Sequence, residues 1–460
     1  MTAVVNWSDV VSDPAADAAG CPPVSRAQDH RPSIPALARV VGADETAPLA
    51  DGRRVRYANL DYAASAPALS AVTDAVSQAL GQYASVHRGA GHLSQVTTAR
   101  YEQARDTVRR FVRGRVDDTV VFTRNTTDAI NLAAHVTPGD VVVLDIEHHA
   151  NLLPWIGRAN GDTRVVRSRP TVDDTLVAIE CELAAVPASL LAITAASNVT
   201  GEVLPIGRLA SIAHRHGARI LIDAAQLVAH QPVSIVSHGI DYLVFSGHKL
   251  YAPFGAGVLI GRSDWLDAAE PYLGGGGATE DVAADDSEAG GVRVTTRWHR
   301  GAARHEAGSP NVLGAIAIAA ACDAITDIGA ESIGLHEAVL RDYLDRGLAS
   351  VPGVRPLRIF TGGTTESATV LDRVGIAGFT VDGLAPRAVA EYLSAEHGIG
   401  VRDGKFCAHP LLDRLGYPDG AVRVSFGLGT SSADIDRLVL ALHELVARPG
   451  RDGIVAEGDS

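Results

Sequence analysis

The segment 221-LIDAAQ-226, followed by 245-FSGHKL-250, decides how this sequence is read. Each opens in a β-rich apolar run, 219-RILID-223 and 241-DYLVF-245, and closes in a polar turn. Asp223 therefore ends one strand, and Lys249 follows another in a Ser-Gly-His-Lys turn. In a layered α/β fold the carboxyl ends of such strands open into one crevice, where ligands bind.

Five further runs have the same character: 119-TVVFT-123, 141-VVVLD-145, 164-RVVR-167, 190-LLAIT-194 and 257-GVLIG-261. Most are continuous apolar stretches, which favours strands buried on both faces of a mainly parallel sheet. Helical patterns such as 97–113 and 207–216 lie between or before them. The expected fold class is thus α/β, with a large domain over 46–320 built on a mainly parallel seven-stranded sheet. A long bridging helix over 311–328 and another over 332–349 lead into a smaller α+β domain, 321–448, that ends in a helix at 432–447. Residues 46–66 are placed so that they can pack with that smaller domain.

Residues 1–45, rich in Ala, Asp, Pro and Ser, are expected to be a disordered extension, with one short helix near 34-IPALARVV-41. The tail 449–460 is expected to be flexible. The glycine-rich, acidic stretch 274-GGGGATEDVAADDSEAGGVRVTT-296 is read as a long mobile loop, either a linker or a lid.

Composition narrows the function classes. Forty basic against 54 acidic residues give a formal charge of −14, which argues against nucleic acid or an anionic membrane surface as partner. The longest apolar stretch, 312-VLGAIAIAAAC-322, is broken by Asp323 and falls short of the ~20 residues a membrane span needs. No basic region followed by an apolar run marks a secretory signal. The four cysteines, Cys21, Cys181, Cys322 and Cys407, form no CxxC pair. That argues against a disulfide framework or zinc ribbon, makes the cytoplasm the expected compartment, and reads each cysteine first as a small buried hydrophobe.

Lys249 beside Ser246 and His248 is a candidate Schiff-base nucleophile. An aspartate facing it can hold a pyridinium nitrogen protonated, as pyridoxal phosphate requires of its electron sink. Taken alone, the pair reads more simply as a surface lysine and a strand-end aspartate. Neighbouring segments change the balance. In 123-TRNTTDAINLAA-134, Asn-Thr-Thr falls between a strand and a helix start, which is either a phosphate site or a plain N-cap. In 145-DIEHHANLLPW-155, two histidines follow a strand. One imidazole there can lie on an aromatic cofactor ring; the rival metal site lacks an evident third ligand.

In this order the segments 59-NLDYAASAP-67, 86-VHRGAGHLS-94, 123-TRNTTDAINL-132, 147-EHHANLLPW-155, 197-SNVTG-201, 223-DAAQ-226, 246-SGHK-249, 306-EAGSPN-311, 401-VRDGKFCAHPL-411 and 423-RVSF-426 resemble the class V aminotransferase family of fold-type I pyridoxal-phosphate enzymes. The likeness is strongest to the SufS-like cysteine desulfurase and selenocysteine lyase group and spans roughly residues 55–447. The resemblance implies a pyridoxal 5'-phosphate cofactor joined to Lys249, with Asp223 on its ring nitrogen, Gln226 on its ring hydroxyl and His148 stacked on the ring. Thr126, Thr127, Ser246 and His248 match phosphate positions. Ser309, where the family usually has threonine, matches a residue that reaches the partner subunit's phosphate, so a homodimer is implied. Asn198 and Arg423 resemble the groups that hold a substrate carboxylate.

Cys407 separates the reactions this family performs, because fold does not. By resemblance it is the catalytic cysteine, which takes sulfur from L-cysteine, leaves L-alanine and passes its persulfide to an acceptor protein or small thiol. Two departures stand out: Gly-Lys-Phe-Cys replaces the usual Gly-His-His-Cys or Gly-Gln-His-Cys, and the spacing from Cys407 to Arg423 is about one residue longer. The alternative is an aminotransferase or β-lyase that acts on another amino acid without Cys407. Cys407 is also open to a plainer reading, as a packed hydrophobe on a loop.

Overall fold

The computed structural model describes residues 33–87, 89–286, 291–362 and 371–448. Seven strands form the central sheet, in the order Thr119–Thr123, Gly257–Gly261, Tyr242–Ser246, Arg219–Asp223, Leu190–Thr194, Val141–Leu144 and Thr163–Val166. Neighbours from Tyr242–Ser246 to Thr163–Val166 run parallel, and Gly257–Gly261 is antiparallel to both of its neighbours. That reversal follows from chain length. Only residues 247–256 join Tyr242–Ser246 to Gly257–Gly261, fewer than the dozen or more a parallel crossover takes.

Alternation explains the continuous apolar runs. Leu191, Ile193, Ile220, Ile222, Leu243 and Phe245 enter one core cluster, while Leu190, Ala192, Leu221, Tyr242 and Val244 enter another on the opposite face. Both faces are covered, so neither set of positions can be polar. Each such large side chain contributes up to about 1.5–3 kcal/mol of burial.

The helix Val312–Ile328 packs against Ser70–Leu80 and His92–Phe111. Its residues Ala317, Ile318, Ala321, Cys322 and Ile325 belong to the main core. The C-terminal core, by contrast, gathers Leu340, Leu344 and Leu348 with Phe379, Val389, Leu438 and Leu442. Residue 320, the expected boundary, lies within the helix Val312–Ile328. The C-terminal sheet has the order Val354–Pro356, Ile376–Val381, Ala421–Ser425, Arg402–Gly404. Ala58–Asn59 pairs in parallel with Ile399–Gly400, and Ala58 and Leu60 enter the C-terminal core.

Two expectations about irregular segments are corrected. Residues 34–45 are not a disordered stretch with a short helix. Ile34 exchanges hydrogen bonds with Ser432, the N–H groups of Leu37 and Ala38 both donate to the Leu428 carbonyl, and Val40 bridges Leu69. A helix of so few residues cannot compete, because nucleation is unfavourable and the tertiary acceptor takes its donors. The expected loop at 274–296 carries a hairpin, Thr279–Asp286 against Val292–Trp298, with Val294 opposite Ala284. Alternating Val292, Val294 and Thr296 supply the strand preference. Residues 1–32 and the tail 449–460 lie outside the described residues.

Candidate active site

The strand ends align in register, Thr194 beside Asp223 and Asp223 beside Val244. Above them opens a cavity of about 530 Å³. Of the residues singled out in the sequence, Thr126, Thr127, His148, Asn198, Asp223, Gln226, Ser246, His248, Lys249, Cys407 and Arg423 line it. Ser309 does not; it is exposed, in the turn before Val312–Ile328.

At one end stands the first turn of the helix Thr126–Val136. Asn125 is spent as its N-cap, accepting from the Asp128 N–H at 3.0 Å. Thr126 aims both its N–H and its hydroxyl at Ser246 Oγ, at 2.7 and 2.6 Å. Thr127 and His248 complete this wall, and His248 Nδ1 meets Ser65 Oγ at 2.8 Å. Gly257 lets the reversed strand come close, since a Cβ there would sit 2.6 Å from the Asn125 backbone. A helix N-terminus ringed by hydroxyls is suited to a phosphate.

At the centre are Lys249, Asp223 and His148. Burial lowers the Lys249 pKa to about 8; Asp223 opposes that shift and Arg423 adds to it. Burial raises the Asp223 pKa, which the Ala225 N–H at 2.9 Å and Lys249 counter. Burial takes His148 down to about 3, helped by Lys249, so its imidazole is neutral. Its Nδ1 accepts from the Ala150 N–H at 3.0 Å, which puts the proton on Nε2. Gln226 Nε2 donates to the Ala63 carbonyl at 2.9 Å.

Arg423 also lines the cavity; it is buried, with Nη1 on the Asn198 carbonyl at 3.1 Å and Nη2 on Asp61 Oδ1 at 2.9 Å. Its buried Nε finds no hydrogen-bond partner among the described residues. The guanidinium belongs to a residue of the cavity wall, where it can pair with a carboxylate. Cys407 is exposed beside it. Cys181 is exposed too, on the helix Val172–Ala185, and only Cys322 is the buried hydrophobe expected of each cysteine; Cys21 lies outside the described residues.

Sequence reasoning missed Asp61 and Glu147, although both stood inside quoted segments. Glu147 is buried, accepting from the Thr194 N–H at 2.9 Å and from Asn151 Nδ2 at 2.7 Å. Burial raises its pKa well above the ordinary value, and nearby Asp223 adds to this. Asp61 faces Arg423 across 362 residues of sequence, a pairing that no local pattern announces. His149 does not line the cavity; its ring lies edge-on to that of His409, which does, at 4.6 Å. Among the described residues no group of three or more His, Cys, Asp or Glu side chains is arranged to hold a metal ion.

A lysine with a lowered pKa, a buried aspartate, a neutral histidine and a phosphate-type helix end, all at the carboxyl ends of one sheet, define an enzyme built for pyridoxal phosphate. The aminotransferase class-V family model matches residues 58–438, and the chain belongs to that family of pyridoxal-phosphate enzymes. It is 37% identical over 409 residues to a cysteine desulfurase of Dickeya dadantii (strain 3937), a match covering 86% of this chain and 93% of that one. It is similar to the crystal structure of the cysteine desulfurase CsdA from Escherichia coli, with TM-score 0.72, 32% identity, and 85% and 94% of the two chains covered. It is likewise similar to the apo structure of cysteine desulfurase from Thermococcus onnurineus NA1, with TM-score 0.75, 31% identity, and 89% and 99% covered.

Proposed function

We propose that this enzyme is a cysteine desulfurase that converts L-cysteine to L-alanine, collects the sulfur on Cys407 as a persulfide and passes it to a protein or small-thiol acceptor. One observation carries the reading: the cavity that holds Lys249, Asp223 and Arg423 also has an exposed thiol, Cys407, at its mouth. An aminotransferase has no use for that sulfur.

Arg423 and Asn198, both in the cavity wall, hold the substrate carboxylate. The bound cofactor supplies an electron sink for the pair released at the α-carbon. Lys249, with its pKa near 8, presents enough neutral amine to remove the α-proton. His148, neutral and fixed by Ala150, offers a flat apolar face with its proton on Nε2. The Cys407 thiolate attacks the substrate sulfur. An S–S bond forms as the substrate C–S bond breaks, the bonding pair stays with carbon, and protonation there yields alanine. A thiol acceptor then takes the outer sulfur.

A homodimer in the reducing cytoplasm belongs to the same proposal. It is supported by the exposure of Ser309 away from its own cavity, and sedimentation of the purified protein tests it. The activity is tested by product analysis of cysteine turnover, with and without a reductant. Cys407→Ser is expected to abolish alanine and sulfide release while the cofactor absorbance persists. Undiminished alanine formation would transfer the protein to the transaminase or β-lyase reading.

A further inference from the structure

Phe406 and Cys407 both have φ +53°. A left-handed backbone is uncommon for any residue but glycine and an outlier for a bulky side chain, so something must hold it. Three tethers do. The Phe406 carbonyl accepts from Asn198 Nδ2 at 2.8 Å. The Cys407 carbonyl accepts from the His149 N–H at 2.8 Å. The buried Phe406 ring lies under the Arg423 guanidinium, its centroid 5.2 Å from Cζ, within cation–π range. Arg423 cannot shift away, because Asp61 and the Asn198 carbonyl fix both terminal nitrogens.

We propose that Phe406 is a positioning residue for Cys407: its ring, clamped on the guanidinium that anchors the substrate carboxylate, holds the strained turn that presents the sulfur. This rests on the roles given above to Arg423 and Cys407. The carboxylate anchor and the nucleophile then share one guanidinium. The distance between the bound carboxylate and the attacking sulfur is thereby fixed. Phenylalanine does this through its ring face and offers no titratable group.

The test uses the holoenzyme and two reactions. Alanine formation from cysteine needs Cys407. Exchange of the α-proton of L-alanine with deuterated solvent needs Lys249 and Arg423 but not Cys407. Phe406→Leu is expected to lower kcat for alanine formation roughly 100-fold, the usual effect of misplacing a reacting group by about an ångström. Proton exchange, the KM for cysteine and the cofactor spectrum should stay within about twofold of wild type, the size of change expected when transition-state placement alone is lost. Phe406→Tyr should restore alanine formation, since its ring keeps the cation–π contact. Equal losses in both reactions would overturn the proposal by making Phe406 a support for Arg423 or for the fold. Unchanged kcat in Phe406→Leu, or no recovery in Phe406→Tyr, would also overturn it. A wild-type enzyme that exchanges the proton but makes no alanine from cysteine would instead remove the desulfurase reading on which it stands.

Discussion

The Lys249 amine carries the sharpest quantitative expectation. Its pKa near 8 in the fold compares with about 10.4 for a free lysine, and at ~1.36 kcal/mol per unit the gap is about 3 kcal/mol between its two protonation states. At pH 7.5 roughly a quarter of the molecules present a neutral amine, against about one in a thousand for a free lysine. The chain makes this measurable, because Lys249 and Lys405 are its only lysines. Apoprotein exposed briefly to dilute pyridoxal phosphate at a series of pH values, then quenched with borohydride, keeps a covalent record on each lysine. Peptide mass spectrometry should show Lys249 labelled with a midpoint near pH 8. Asp223→Asn should move that midpoint down, because the carboxylate that favours the charged amine is gone. Linkage gives a second readout. Between pH 8 and about 10.4 the unfolded chain holds a proton that the folded one has released, so the contribution of Lys249 makes apoprotein stability rise with pH across that window. Labelling of Lys249 with a midpoint near 10, or a midpoint that rises in Asp223→Asn, would refute the reasoning.

Two other substitutions follow from the site. Glu147→Gln should gain stability relative to wild type as pH rises, because burial raises the pKa of the native carboxyl well above its ordinary value. The wild type should lose stability as pH rises above the unfolded value of about 4.3, and the variant should lack that loss; identical urea midpoints for the two at pH 5 and pH 7.5 would contradict it. Gly257→Ala places a Cβ 2.6 Å from the Asn125 backbone and must displace the turn beneath the phosphate wall. Cofactor affinity should fall at least about tenfold, or about 1.4 kcal/mol, and a cofactor titration of the apoprotein giving wild-type affinity would show that this approach does not matter.

Legibility in the sequence followed the range of the interactions. The helix at 432–447 was readable to the residue because its signals are local: a Ser431–Asp434 capping box and an apolar stripe. The hairpin at 279–298 was misread because glycines and acids dominate the stretch 274–291 that leads into it, while its strand signal is only a short alternation of Val and Thr. The segment 34–45 was misread because its order comes from Leu428 and Ser432, nearly 400 residues away.

The same distinction holds within the site. Lys249, Asp223, Thr126 and His148 each sit just past an apolar run, and a chain that buries such runs in one parallel sheet must bring their carboxyl ends to one edge. That much belonged to the sequence alone, because the hydrophobic pattern that specifies the sheet also specifies where its polar ends meet. Only the tertiary structure decided that Asp61 would hold Arg423, that Phe406 would lie beneath the same guanidinium, and that Cys407 would stand at the mouth in a left-handed turn. Those contacts join three distant stretches of chain. Their partners are chosen by the packing of the C-terminal sheet against the large domain, and no periodicity in any one stretch encodes them.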